Sequence, residues 1–163
     1  MRHDVTPSPA SLSAEEMTAA LTAAATLSGS ELKRAATHLV TSTGLPGRAD
    51  FARHITLTWA EVPDTGRALT AEVNLTALRA DEEVYLTGAD EKLLNLALSY
   101  ATGRPVHLDA YLNGFGHQTG LRVLEAHIIG MGMEGFLAAA AGGPRLDDLN
   151  ALHAELGIAG DAQ

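Results

Sequence analysis

One change of period constrains this chain more than anything else. Between His54 and Val62, Ile55, Leu57 and Trp59 alternate with Thr56, Thr58 and Ala60. Between Ala68 and Ala77, Leu69, Ala71, Val73, Leu75 and Ala77 alternate with Thr70, Glu72, Asn74 and Thr76. Alternation of period two gives a strand one apolar face and one polar face. Pro63-Asp64-Thr65-Gly66 between the runs is turn chemistry. The expectation is a β-hairpin with threonine and charge on its outer face. Glu83 to Thr87 fits a third strand or a short helix equally well.

On both sides of the hairpin the period is helical. Ser13 and Glu16 form a capping box ahead of Met17, Leu21, Ala24 and Leu27. Gly29 reads as a left-handed terminator, and Ser30 restarts a helix through Leu32, Ala35, Ala36 and Leu39. Gly44, Pro46 and Gly47 end it. Asp90 to Thr102 is a third helix, stopped by Gly103. Val106 to Leu112 fits strand or helix. Thr119 to Ile129 is helical by Leu121, Leu124 and Ile128 and stops at Gly130. Phe136 to Ala141 continues in helix, and Pro144 opens a last one carrying Leu146, Leu149, Leu152 and Leu156 on one stripe. A stretch at 95–103 echoes 122–130, each an apolar helical turn ending in glycine. The expected fold is α+β: a mostly helical single domain over 14–163 with a central β-hairpin or small antiparallel sheet. Residues 1–13 are expected to be a flexible arm.

Composition removes several function classes. The chain has 163 residues and no cysteine, so disulfide frameworks, thiolate metal clusters and thiol nucleophiles are excluded. Its formal net charge of −9 argues against general nucleic-acid binding and against docking on anionic membranes. The least polar stretch, Ile128 to Gly143, is interrupted by glycines and Glu134 and cannot span a bilayer. The first 13 residues lack the apolar core of a signal peptide. The expected setting is the cytoplasm.

The string Gly130-Met131-Gly132-Met133-Glu134-Gly135 has the form GxGxxG ahead of an alanine-rich run. It resembles the Rossmann dinucleotide fingerprint. In that reading Gly130, Gly132 and Gly135 serve the turn, the approach to pyrophosphate and helix packing. Against it, a helix stands where the fingerprint needs a strand, no later strand follows, and Glu134 brings negative charge. The competing reading is that the glycines turn the chain and let helices approach closely. A second glycine-rich loop, 114–120, could present amides to an anion. Alternatively, Gln118 or Thr119 caps the next helix while Phe115 enters the core.

Seven histidines include no pair at i, i+4. A metal site would have to bring His107, Asp109 and His117 together through the fold. There is no GxSxG nucleophile elbow, and the acid clusters at 81–83 and 147–148 read as solvated corners. The remaining need is physical. A two-stranded hairpin is marginal alone and must be covered by helices, completed by a strand or paired with another copy. The sequence therefore points to a small acidic, non-enzymatic interaction or assembly protein without a cofactor, self-associating or accessory to a larger complex. The alternative is a phosphate- or nucleotide-binding domain using loops 114–120 and 130–135.

Overall fold

A computed structural model describes residues 5–62, 66–107 and 114–133. The chain divides into two compact units, Met1–Gly132 and Met133–Gln163. The fold below is that of the first. The sequence expectations for 136–141 and 144–156, and for most of 106–112, lie outside the described residues.

Helix α1 (Ala14–Leu27) starts with the expected capping box. The Ser13 hydroxyl accepts from the Glu16 amide at 3.2 Å, and the Ser13 amide donates to Glu16 Oε2 at 2.8 Å. Gly29 adopts φ +64, which reverses the chain into α2 (Glu31–Thr41), capped by Ser30. A 3-10 turn (Leu45–Gly47) and the short α3 (Ala49–Ala52) lead into the hairpin. Strand β1 (Ile55–Val62) pairs antiparallel with β2 (Gly66–Val73), Thr58 opposite Thr70 and Ile55 opposite Val73. Two further helices complete the described core: α5 (Gly88–Thr102), after the short α4 (Leu75–Ala80), and α6 (His117–Gly130). The result is a mostly helical α+β fold with a two-stranded antiparallel sheet.

Helix α2 is the hub, packing on α1, α5 and α6. Its Ala35, Ala36, Leu39 and Val40 are all buried. Alanine at two adjacent positions lets three helices approach one axis without a clash. Around it lie Met17 and Leu21 of α1, Phe51 of α3, Leu78 of α4 and Leu94 of α5, all essentially inaccessible. Each such large side chain contributes roughly 1.5–3 kcal/mol by leaving water.

The structure corrects the sequence expectations at four places. Residues 74–77 are not strand. Asn74 leaves the ladder and caps α4, its side chain accepting from the Ala77 amide at 3.0 Å. The alternation that included Leu75 and Ala77 hid an i, i+3 pair, Leu75 and Leu78, and both are buried. Residues 83–87 are neither strand nor helix. They form a turn in which the Glu83 amide donates to Asp81 Oδ1 and Val84 is buried. No third strand therefore joins the sheet among the described residues. Thr70, expected outside, is 7 % exposed, and its hydroxyl donates to the Thr58 carbonyl at 2.7 Å. Gln118 and Thr119 lie inside α6, whose N-cap is Gly116, while Phe115 does pack on the core. Within the expected arm, Pro9–Ser11 form a 3-10 turn and Leu12 packs on the core. Among the described residues no helix is long and apolar enough to cross a membrane.

Candidate interaction edge

The hydrogen-bonding phase of the hairpin fixes which backbone groups face outward. The Asn74 amide donates to the His54 carbonyl at 2.9 Å, extending the β1–β2 register by one hydrogen-bonded pair. Such pairs alternate along an antiparallel ladder. Thr56, Thr58, Ala60 and Val62 therefore exchange bonds with β2. The N–H and C=O groups of Ile55, Leu57, Trp59 and Glu61 point away from it. No backbone partner meets those outward groups among the described residues.

The two flanks of the hairpin differ. Helix α1 packs against β2. Its Leu21 shares a cavity with Ala71 and Val73, from one face of β2. Its Ala24, Leu27 and Ser28 share a depression with Thr70 and Glu72 of β2 and with Thr58 and Ala60 of β1. Strand β1 has β2 on one side and, near α3, the Pro9–Ser11 turn. Natural sheets blunt an open edge with charged side chains, lysine above all, with proline or with a bulge. Strand β1, Ile-Thr-Leu-Thr-Trp-Ala-Glu-Val, carries one charge, Glu61 near its end, and no lysine, proline or bulge, and its register runs unbroken over all 8 residues.

Side chains on this edge are partly open. Thr56 and Thr58 are exposed, while Leu57 and Trp59 are half-buried. The Arg67 guanidinium lies over the Trp59 ring at 5.7 Å. Trp59 Nε1 is buried and meets no hydrogen-bond acceptor among the described residues.

The glycines singled out by sequence occupy a different setting. Gly130 is the last residue of α6, so a helix precedes the string where a strand would be needed. A Cβ at Gly130 would lie 3.0 Å from Tyr100 Cε1 and 3.5 Å from the Ala35 Cβ. Gly130 thus sits where α6, α5 and α2 meet. Gly132 has φ +68, a left-handed turn after the helix. Gly135 lies outside the described residues. In the other glycine loop, Gly114 has φ +84, and Lys92 Nζ stands 5.3 Å over the Phe115 ring.

The titratable groups form structural pairs. His38 Nε2 lies 2.9 Å from Glu125 Oε2, and Arg122 donates to the same oxygen at 2.8 Å, joining α2 to α6. Burial opposes the charge on Glu125, but the hydrogen bonds from Arg122 and His38 outweigh it and hold the carboxyl below its usual range. His54 Nε2 lies 2.8 Å from Asp81 Oδ2. The backbone amide of Glu83, then His54, keep Asp81 low as well. Arg48 pairs with Asp50 through two hydrogen bonds, which lower the Asp50 carboxyl. Among the described residues no three metal-ligating side chains converge. His107 and His117 are exposed, and Asp109 lies outside the described residues.

A cavity of about 410 Å³ lies between α2, α5 and β2. Its walls are mainly Leu32, Ala36, Val40, Val73 and Leu75. Lys33 at its rim is already paired with Glu72 at 2.6 Å. No protein-family model, curated protein or solved structure matches this chain.

Proposed function

We propose that this is a small non-enzymatic interaction protein that self-associates by strand addition at β1. One observation carries the reading: an unbroken 8-residue edge whose outward groups at Ile55, Leu57, Trp59 and Glu61 have no backbone partner among the described residues. Strand addition uses such groups, because main-chain hydrogen bonds supply affinity and alternate side chains supply selectivity. A two-stranded sheet also gains by becoming wider. The acidic surface, formal net charge −9, suits a protein partner better than a polyanion.

The test is Glu61→Pro. Glu61 is exposed, and its amide points outward, so proline removes no bond of the hairpin and blocks the edge. Among the described residues its side chain meets Arg67 at 3.8 Å, a surface pair of little weight. Light-scattering mass across a concentration series should exceed 17.0 kDa for the natural chain and remain at 17.0 kDa for Glu61→Pro. Equal masses would refute assembly through β1. An oligomer indifferent to proline would move the contact elsewhere, for instance to α6, where Leu121 and Leu124 are exposed.

A further inference from the structure

Resting on that reading, we infer that the occupant of the β1 edge is a second copy of the same strand, antiparallel, with Thr58 on the two-fold axis. The strand order across the pair is then β2-β1-β1-β2, a four-stranded sheet.

The register follows from the phase of the outward groups. Two β1 strands can bond only where outward residues face outward residues, so odd-numbered positions pair with odd-numbered positions. Among antiparallel registers of this kind, one engages every outward residue of both strands. It sets Leu57 opposite Trp59 of the second copy and Ile55 opposite Glu61. Thr58 then faces Thr58, and Thr56 faces Ala60.

Side-chain chemistry agrees with this register. Leu57 and Trp59, half-buried in one chain, cover each other across the axis. Threonine opposite threonine is a favourable cross-strand pair. The strand carries a single charge, Glu61, which meets Ile55 instead of another carboxylate. A one-residue shift would put bonding groups opposite non-bonding ones, and a two-residue shift would leave an outward residue of each chain unpaired.

The assembly closes at two chains. A sheet edge that pairs with its own copy uses the same surface on both partners, an isologous contact. Further growth would need β2, against which α1 packs. With a formal net charge of −9 on each chain, the partners repel at long range, so added salt tightens the dimer.

Cysteine substitution tests the geometry cleanly, because the chain contains no cysteine. Thr58 is exposed, and it bonds within the hairpin through its backbone, which a cysteine retains. In this register the two copies of residue 58 form a non-hydrogen-bonded pair with Cα atoms about 4.5 Å apart, within disulfide reach. The two copies of residue 56 lie about 13 Å apart, out of reach. Under mild oxidation Thr58→Cys should run at twice 17.0 kDa on a non-reducing gel, and Thr56→Cys should not. Reduced Thr58→Cys should match the natural chain in solution mass, which checks folding. If the natural chain associates and Glu61→Pro breaks it, but Thr58→Cys does not cross-link, this pairing is wrong while the edge reading stands. If Glu61→Pro leaves the mass unchanged, both fail.

Discussion

Gly130→Ala separates the two meanings of the glycine string. An added methyl would lie 3.0 Å from Tyr100 Cε1 and 3.5 Å from the Ala35 Cβ. Comfortable carbon contacts are about 3.5–4.0 Å, so the Tyr100 ring must move. It has little room, because His127 meets it edge-on at 5.7 Å and 87°, and His127 Nδ1 lies 3.0 Å from the Val123 carbonyl. Forcing a methyl into a packed site costs about 1–3 kcal/mol. Replacing a helical glycine by alanine returns about 0.5–1 kcal/mol. The net expectation is a loss of about 1 kcal/mol, or about 2–4 °C in Tm for a chain of this size. Urea denaturation measures it, and a double-mutant cycle tests its cause. In a Tyr100→Ala background the clash is gone, so Gly130→Ala should stabilise by about 0.5 kcal/mol. An equal cost in both backgrounds, or a gain in the natural chain, would refute the packing argument. A cofactor role would appear differently, as a nucleotide-induced rise in Tm that Gly130→Ala removes.

Ser13→Ala deletes one half of the capping box and should cost about 1 kcal/mol in urea denaturation, with the slope unchanged. Acid should weaken the fold in a defined window. Asp50, Asp81 and Glu125 all sit below their ordinary values of 3.8, 3.8 and 4.5. A depressed carboxyl stabilises fully above its unfolded pKa, and the gain is lost as pH falls through the lower folded value. Stability measured between pH 6 and pH 2, taken as a roughly stepped series, should therefore hold to about pH 5 and decline below it. Glu125→Gln should flatten part of that decline.

Elements whose signals are local were legible in the sequence. Ser13 with Glu16, Ser30, Gly29 and Gly103 each act within a few residues of themselves, and each sits where its chemistry required. The hairpin was legible for the same reason. What failed depended on partners distant in sequence. Alternation could not tell that Asn74 would cap a helix, since Leu75 fits either period. Thr70 looked like a surface residue because its burial comes from α1, more than forty positions earlier in the chain. The outward phase of β1 was invisible. Sequence suggests which face of a strand is apolar, but only a bond such as Asn74 to His54 says which amides point to the edge. Gly130 was the reverse case: a motif drew attention to it, and its setting is the meeting of three helices.

The contact between His38 and Glu125 spans 87 positions, while the Thr70–Thr58 contact spans 12. Loop-closure entropy grows as (3/2)RT times the logarithm of length, so the first costs roughly 1.8 kcal/mol more than the second. This difference predicts that the hairpin and the α1–α2 pair form early, from neighbouring chain, and that α6 docks late. On the ribosome the order is stricter still, since α6 emerges last of these elements. Until then α2 shows the alanine surface that α6 will cover, and the β1 edge is already complete.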